Sequence, residues 1–311
     1  MKIVFPDAKS VGSDIDLSGF SQLGEFVRYD YLSASEMAEA AADADVLLVN
    51  KLPVNAQTIG DAKHLKLVCV TATGTNNLDK EYLKSRGIEW RNVAGYSTET
   101  VAQHTFALFF YLFEKLSYYD AYVKEGRYVN DEMFTHFGRT FHDLCGKTWG
   151  IVGLGSIGSR VAQIASCFGA HVIYYSTSGK NHNPDYEEVS FDELLSRSDI
   201  VSIHAPLNEQ TLDLFDASAF ARMKNTALLI NVGRGPIIVE EDLAQALATD
   251  QIAGAALDVL REEPMRPGHP LLPFTDSTRL LITPHIAWAS IEARTRLMEL
   301  VLKQIQEFYE A

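Results

Sequence analysis

Residues 148–158 read Thr-Trp-Gly-Ile-Val-Gly-Leu-Gly-Ser-Ile-Gly, and this stretch organises the middle of the chain. It begins with a mostly apolar run that predicts a buried strand, and residues 156–168 then follow a helical pattern. Between the two, Gly153, Gly155 and Gly158 have the spacing of a loop that turns tightly, approaches a pyrophosphate and packs helix against strand. A helix N-terminus also presents unpaired N–H groups and a positive dipole to phosphate. The stretch therefore predicts a dinucleotide-binding unit.

Short apolar runs alternate with helical patterns on both sides of this loop, which is typical of parallel sheets covered by helices. The Ser-x-x-Glu capping boxes at Ser33 and Ser190 predict two of the helix starts. The pattern predicts strands at residues 2–5, 26–29, 46–49, 67–70, 88–92, 148–152, 171–175, 200–203, 227–231, 253–258 and 280–282. It predicts helices at residues 35–42, 54–60, 78–86, 156–168, 190–196 and about 290–309. We expect an α/β fold without internal repeats.

A further helical stretch from about Thr98 to Lys124 is apolar around much of its circumference, for example at Phe106, Phe109 and Leu112. Such a helix needs cover on more than one side. The sequence leaves two alternatives open, a core helix within a domain or a helix at a subunit interface. Only the second implies an oligomer.

The bulk composition narrows the class of protein. With 311 residues the chain is long for one core and suits two domains. Its formal net charge of -14 would repel a phosphate backbone, so nucleic acid is not an expected partner. Three cysteines without a Cys-x-x-Cys motif disfavour a disulfide framework or a zinc site, so we expect no metal and a reducing, cytoplasmic location. The N-terminus lacks a secretory pattern and no apolar run reaches membrane-spanning length, so no membrane association is expected.

The strand that follows the glycine loop lacks the acidic residue that usually accepts hydrogen bonds from the adenosine ribose. Ser176 stands in that place, and Thr177, Ser178 and Lys180 follow it. Without a carboxylate, a 2′-phosphate is not repelled, and hydroxyls with a lysine are able to bind it. NAD and NADP both remain open, with NAD slightly favoured because the segment contains no arginine.

Ligands of open α/β sheets bind beyond the carboxyl ends of the strands, and there the chain carries Arg234, Glu263 and His285. Reduction of a 2-oxo acid requires such a set. A histidine protonates the carbonyl oxygen near neutral pH, and an arginine binds the carboxylate through two parallel hydrogen bonds. A carboxylate beside the histidine orients it and favours its charged form. Each residue alone has an ordinary alternative, as a surface arginine, a solvated glutamate or a structural histidine.

In combination, the motifs resemble the D-isomer-specific 2-hydroxyacid dehydrogenases, and the resemblance extends over essentially the whole chain. It implies two doubly wound parallel-sheet domains, with a Rossmann cofactor domain inserted in a flavodoxin-like substrate domain. The implied substrate domain comprises residues 1–98 and 287–311, and the implied cofactor domain comprises residues 99–286. The matching stretches are residues 153–158, residues 204–207 with Thr211, residues 230–235, residues 256–264 and residues 283–286.

The resemblance also implies a role for individual residues. Arg234 would bind the substrate carboxylate, His285 would be the acid and base, and Glu263 would be its partner. The Thr73-Gly74-Thr75 loop would bind the substrate carboxylate through its backbone. The implied cofactor-binding residues are Gly153, Gly155, Ser156, Ile157, Gly158, Ser176, Ala205, Pro206, Thr211, Val232, Gly233 and Asp258, the last holding the nicotinamide carboxamide. A homodimer through the region from Thr98 to Lys124 is implied as well.

Within the family, residues 96–104 and 285–289 are most similar to the glycerate dehydrogenase, or hydroxypyruvate reductase, branch. Trp288 would then either limit the substrate pocket or pack as an ordinary aromatic side chain. Gln103 departs from the glutamate of many members, which leaves the local contacts of its helix open. Three alternatives stay open, namely a formate dehydrogenase, a phosphoglycerate dehydrogenase and a dinucleotide-sensing corepressor. Glu263 argues against the first, since formate oxidation needs no proton donor.

Overall fold

Two units make up the structure, a computed structural model that describes residues 1–60 and 62–310. The first unit combines Met1–Ser97 with Trp288–Ala311, and the second is Thr98–Ala287. The predicted domain boundaries differ from these by one residue at each junction. Asp61 and Ala311, which belong to the predicted substrate domain, lie outside the described residues.

The strands and helices alternate along both units. The strands are β1 (Lys2–Phe5), β2 (Glu25–Arg28), β3 (Val46–Val49), β4 (Leu67–Val70), β5 (Glu89–Asn92), β6 (Thr148–Val152), β7 (His171–Tyr175), β8 (Glu187–Glu188), β9 (Ile200–Ile203), β10 (Leu228–Asn231), β11 (Gly254–Leu257) and β12 (Leu280–Ile282). The α-helices are α1 (Ser18–Ser21), α2 (Ala34–Ala41), α3 (Ala56–Ile59), α4 (Lys80–Ser85), α5 (Thr98–Phe113), α6 (Leu116–Lys124), α7 (Ser156–Cys167), α8 (Phe191–Arg197), α9 (Ala217–Arg222), α10 (Glu240–Ala248) and α11 (Ile291–Glu310). Short 3₁₀ turns lie at Ala8–Val11, Tyr128–Asn130 and Gly235–Ile237.

The first unit is built on a parallel sheet of order β2-β1-β3-β4-β5, which is the flavodoxin-like order. Its central strands β3 and β4 are buried along their whole length because both faces are covered. On one face, Leu297 and Val301 of the C-terminal helix α11 join the same apolar cluster as Phe5 and Cys69. The last helix of the chain thus completes the core of the first unit.

The second unit contains a parallel sheet of order β12-β11-β10-β9-β6-β7-β8. Read from β8, this is the dinucleotide-binding order with β12 added at the far edge. The strand order reverses between β6 and β9, and open α/β sheets bind their ligands at such a switch point. The predicted fold class is therefore confirmed, and the glycine loop after β6 lies at the position where a ligand is expected.

The predicted long helix is in fact two helices, α5 and α6, separated at Lys115. The φ of Lys115 is 58°, and a left-handed residue interrupts the helical hydrogen-bond pattern. Phe106 and Phe109 of α5 pack on Trp149 of β6, with ring centroids 4.9 and 4.8 Å apart. These contacts place one side of α5 in the core of its own unit, and the interface alternative stays a prediction. Neither α5 nor any other helix of the described residues is long and apolar enough to cross a membrane.

Both predicted capping boxes form. The Ser33 and Ser190 side chains accept hydrogen bonds from the backbone N–H of Glu36 and Glu193, and each glutamate accepts the N–H of its serine in return. An equivalent arrangement at Asn55, with Thr58 as its partner, starts α3. The sequence pattern did not predict this one because it ends in threonine instead of glutamate.

Candidate active site

The glycine loop after β6 has a geometry that only glycine permits at two of its three positions. Gly153 has a φ of 91°, and a Cβ there would lie 2.8 Å from the backbone of Ala205. A Cβ on Gly158 would lie 2.2 Å from the carbonyl oxygen of Gly153. A Cβ on Gly155, by contrast, would meet no atom within 4 Å. The first and third glycines are thus required by packing, whereas the second leaves open space above the loop.

That open space lies at the start of α7. Gly155 is the N-cap residue of the helix and contributes no side-chain cap, while Ser156 is exposed and Ile157 half-buried. The first N–H groups of α7 therefore face a region that a phosphate is able to enter. The loop fits the pyrophosphate of a dinucleotide because it combines free donors, a positive helix end and room for the ligand.

The turn after β9 borders this loop and is braced from inside. Thr211 is fully buried, and its hydroxyl donates to the carbonyl oxygen of Pro206 at 2.7 Å and accepts the N–H of Asn208 at 2.9 Å. Ala205, also buried, contacts Gly153 closely enough to exclude any side chain at that glycine. In the structure Thr211 thus acts on the shape of the turn, in which Pro206 is exposed.

Ser176 directly follows β7, at the strand end next to the glycine loop. The residue is 8% exposed, and its hydroxyl oxygen is buried without a hydrogen-bond partner among the residues that the structure describes. Thr177, Ser178 and Lys180 follow in a turn that is progressively exposed. A polar atom without a partner at this strand end fits a hydroxyl-bearing ligand such as a ribose.

Arg234 follows β10 in a turn held by Asn231. The Asn231 side chain accepts the N–H of Gly233 and donates to the carbonyl oxygen of Arg234, both at 3.0 Å. The Arg234 guanidinium donates to the carbonyl oxygen of Gly233 at 2.8 Å and stays half-buried. Val232 is buried beside it. The turn presents a cation at the carboxyl edge of the sheet, and Gly233 is the acceptor that the described residues give its guanidinium.

Glu263 and His285 come from the loops after β11 and β12 and meet at this edge. The Glu263 Oε2 lies 2.7 Å from the His285 Nδ1, with side chains 33% and 23% exposed. The other oxygen of Glu263 accepts the N–H of Leu260 at 2.9 Å. The carboxylate therefore holds the ring through Nδ1, and Nε2 is the ring nitrogen that would transfer a proton to a substrate.

The backbone of His285 is strained. Its φ of 54° is unusual for a residue with a Cβ, and such conformations persist only where the surroundings hold them. Here the His285 N–H donates to the carbonyl oxygen of Asp258 at 2.9 Å. Sheet pairing of β11 with β12 keeps the two loops side by side. The strain marks a residue whose orientation is imposed by the fold.

The Asp258 carboxylate holds the segment that carries His285. Its oxygens accept the N–H groups of Ile286 and Ala287 at 2.8 Å each and the hydroxyl of Thr283 at 2.6 Å. His104 of α5 approaches it to 3.5 Å and also contacts Thr283. Burial raises the pKa of the Asp258 carboxyl, but the hydrogen bonds from His104, Thr283 and the amides outweigh burial and lower that pKa below its ordinary value. Asp258 is therefore a buried anion with several donors.

A family model described as D-isomer specific 2-hydroxyacid dehydrogenase, NAD binding domain, matches residues 106–287, more than half of the chain. The chain belongs to this family. Its second unit is accordingly the nucleotide-binding domain of a D-2-hydroxyacid dehydrogenase, which is an oxidoreductase. The resemblance of the sequence motifs to this family is thereby confirmed.

Relatives of this dehydrogenase cover nearly its whole length. A hydroxypyruvate reductase from Blautia hydrogenotrophica is 35% identical and aligns over 99% of this chain and 97% of its own. A glycerate dehydrogenase from Methylorubrum extorquens is 32% identical, with coverages of 99% and 96%. Among solved structures, an acyclic imino acid reductase in complex with NADPH and D-Arg is 27% identical with a TM-score of 0.87, covering 100% of this chain and 97% of its own.

The remaining predicted site residues of the dehydrogenase lie in the first unit. Thr73 is exposed after β4; its hydroxyl donates to the carbonyl oxygen of Val93 at 3.0 Å, while Gly74 and Thr75 continue the loop. Trp288 packs edge-on against Tyr96, with ring centroids 6.4 Å apart. Residues of its own unit thus cover part of the Trp288 side chain, which is compatible with both alternatives for its role.

Sequence reasoning assigned no role to three residues that shape the site. Thr283 and Asn231 lie inside the quoted motifs, so their positions, directly before Pro284 and two residues before Gly233, were a usable signal. His104 was seen as part of a motif, but its contact with Asp258 spans more than one hundred and fifty residues of sequence. No local pattern predicts a contact of that kind.

Proposed function

We propose that this dehydrogenase transfers a hydride reversibly between a nicotinamide cofactor and a small D-2-hydroxy acid or 2-oxo acid, with hydroxypyruvate and glyoxylate as substrates. The 2.7 Å contact between Glu263 and His285, beside Arg234 at the same sheet edge, carries the proposal. The names of the two relatives, hydroxypyruvate reductase and glycerate dehydrogenase, support the substrate class.

In the proposed reduction, the Arg234 guanidinium binds the substrate carboxylate through two parallel hydrogen bonds. A nicotinamide cofactor held at the Gly153 loop would supply the hydride for the carbonyl carbon. Nε2 of charged His285 donates its proton to the carbonyl oxygen, which becomes the hydroxyl of the product. Glu263 accepts from Nδ1 throughout and favours the charged ring before the transfer. In the oxidative direction, neutral His285 takes the hydroxyl proton.

Two variants test the acid–base assignment. His285→Ala should lower kcat for hydroxypyruvate reduction by about 10²–10⁴-fold, the usual contribution of general acid–base catalysis. Glu263→Gln keeps the side-chain size but removes the charge that orients His285, so it should lower kcat less than His285→Ala does. Glu262→Gln is the matched control, since Glu262 is 62% exposed and pairs with Arg266.

The measurements are NADH and NADPH oxidation with a panel of small 2-oxo acids and cofactor binding by fluorescence. We expect both active-site variants to bind cofactor like the wild type while losing turnover. A wild-type protein that binds cofactor but turns over none of the acids would contradict the enzymatic proposal and favour a dinucleotide-sensing binding protein. Full activity of His285→Ala would remove the proton-donor role.

We propose further that the enzyme uses NADH and tolerates NADPH. Ser176 places a hydroxyl, and no carboxylate, at the end of β7, so a 2′-phosphate meets no repulsion from that position. The related imino acid reductase structure, which holds NADPH, supports the tolerance. Comparison of kcat/KM for the two cofactors with hydroxypyruvate is the test, and a preference for NADH above about a thousandfold, or roughly 4 kcal/mol, would contradict it.

A homodimer is our proposal for the assembly. Since one side of α5 packs in the core, the partner surface that we propose is α6 together with residues 128–141. We call residues 128–141 the aromatic arm. The arm exposes Val129, Phe134 and Phe137 by 84%, 86% and 90%. A second copy with the same arm would cover these side chains in a two-fold contact. Within its own unit the arm contacts α6, since His136 stacks on Tyr122 with ring centroids 3.8 Å apart.

The dimer is tested by light scattering after size-exclusion chromatography. The double variant Phe134→Ser with Phe137→Ser should shift the protein to a monomer at micromolar concentration. Leu272→Ser is the control because Leu272 is 50% exposed but lies outside the arm. A monomeric wild type, or a double variant that stays dimeric, would overturn the assignment.

We propose the cytoplasm as the location because the three cysteines are unpaired. Burial raises the pKa of the Cys69 thiol to about 12, so this thiol stays protonated. Cys145 and Cys167 are exposed and suit a compartment that keeps thiols reduced. Cell fractionation with thiol labelling is the test, and recovery of the native protein in an oxidised, membrane-enclosed fraction would contradict it.

A further inference from the structure

A buried carboxylate contacts the loop between β11 and β12, which carries Glu263. Glu240 is the first residue of α10 and is 6% exposed, and its Oε1 accepts the N–H of Arg261 at 2.8 Å. Its Oε2 lies 3.0 Å from the Nε2 of His269, a pair whose side chains are 8% and 7% exposed. A buried carboxylate carries a desolvation cost, so its position reflects the partners that it holds.

The N–H that Glu240 binds belongs to the loop between β11 and β12. Within this loop, consecutive backbone amides are held by two different carboxylates. Glu263 accepts the N–H of Leu260 at 2.9 Å, and Glu240 accepts the next one, from Arg261. The loop therefore has an internal contact, through Glu263 itself, and an external contact with α10. The external contact ties the loop to α10.

Two further contacts connect the same loop to neighbouring segments of the unit. A Cβ on Gly235 would lie 1.9 Å from the carbonyl carbon of Leu260, so the turn after Arg234 touches the loop directly. The Arg261 side chain forms an ion pair with Asp213 and donates to the carbonyl oxygen of Ile238 at 3.4 Å. Glu240 is thus the buried member of a set that ties the loop to the segment starting at Arg234.

We propose that Glu240 is a positioning residue that holds the Arg261 end of this loop and so keeps Glu263 in hydrogen-bonding reach of His285. The inference rests on the proposed function, because it concerns how the proposed acid–base pair is held. Proton transfer demands a short contact, and displacement by about 1 Å in such a set reduces turnover on the order of a hundredfold. Glu240 touches neither substrate nor cofactor in this scheme.

Three variants test the role. Glu240→Ala removes the acceptor and should lower kcat at least about tenfold while the cofactor Kd stays within about twofold. Glu240→Gln retains an oxygen for the Arg261 N–H and should restore most of kcat. Glu241→Ala is the matched control, since Glu241 lies in the same first turn of α10 but is exposed. It should behave like the wild type.

Two readouts separate positioning from a general loss of structure. Hydrogen exchange in the peptide covering residues 258–264 should accelerate in Glu240→Ala, while the strands β9 and β10 stay protected. The loss should appear in kcat and not in the KM for hydroxypyruvate, because Arg234 still binds the substrate carboxylate. Unchanged exchange together with an unchanged kcat would overturn the inference.

These measurements distinguish failure of the positioning role of Glu240 from failure of the proposed function. If the wild type reduces 2-oxo acids but Glu240→Ala leaves loop exchange and kcat unaltered, the positioning role alone is wrong. If the wild type turns over no 2-oxo acid, the proposed function is wrong and the catalytic part of the inference falls with it. The exchange measurement then still decides whether Glu240 anchors the loop.

Discussion

Substitution of Gly235 by alanine is a direct test of how tightly the catalytic segments are packed. A Cβ at this position would lie 1.9 Å from the carbonyl carbon and 2.0 Å from the carbonyl oxygen of Leu260, against about 3.4 Å for an ordinary contact. The two backbones must therefore separate by about 1.5 Å. Since neither partner is a flexible side-chain end, the separation moves Arg234 away from the loop that carries Glu263.

The expected cost has two parts. Overpacking of this size destabilises a protein by about 1–3 kcal/mol. Displacement of catalytic groups by 1 Å or more lowers kcat on the order of a hundredfold. The pyrophosphate loop around Gly153 is a separate segment, but Val232 and Gly233 share the turn of Arg234, so the cofactor Kd should rise less than kcat falls, by less than about tenfold or roughly 1.4 kcal/mol.

The assay is steady-state reduction of hydroxypyruvate, with thermal unfolding and cofactor titration measured on the same preparations. Gly155→Ala provides a contrasting variant, because its Cβ meets no protein atom within 4 Å and points into the proposed cofactor space. That variant should keep its stability but weaken cofactor binding. A Gly235→Ala protein with wild-type kcat and stability would refute the packing argument, as would loss of cofactor binding without loss of kcat.

Three other predictions concern charge and burial. Ser176→Asp should raise the KM for NADPH at least about tenfold, because the carboxylate repels the 2′-phosphate, and should leave the KM for NADH within about twofold. Equal effects on both cofactors would contradict the placement of the ribose at Ser176. Burial lowers the pKa of His204 to about 3, below its unfolded value, so the stability it contributes is present above pH 6.5 and is lost as the pH falls toward 3. His204→Gln should therefore flatten the pH dependence of the unfolding free energy by up to about 1.4 kcal/mol per pH unit. The measurement is urea unfolding between pH 6.5 and 4.5, and an unaltered slope would show that His204 does not titrate with unfolding. Asp258→Asn places a side-chain N–H against the backbone N–H of Ile286 or Ala287. The protein should therefore lose about 1–3 kcal/mol of stability and also lose kcat. Loss of cofactor binding alone would instead point to direct contact with the nicotinamide.

The local sequence predicted the helix and strand types well because each depends on neighbours only a few residues away. The capping boxes at Ser33 and Ser190 form as expected, and α7 begins at Ser156 as the glycine loop requires. The break at Lys115 was missed since the apolar pattern continues across it, and a left-handed residue there leaves no mark in the sequence. Asp7 was also missed; its buried carboxylate accepts the N–H groups of residues 50–52 in the first unit.

For the site, the sequence by itself determined which residue types stand at which strand ends. Arg234, Glu263 and His285 follow from motifs, and their chemistry follows from their side chains. The tertiary structure alone decided that the Asp258 carboxylate accepts backbone N–H groups of the segment after His285 and that Glu240 accepts the Arg261 N–H. The physical reason is that parallel pairing brings the carboxyl ends of distant strands to one edge, so contacts there depend on how loops pack across the sheet.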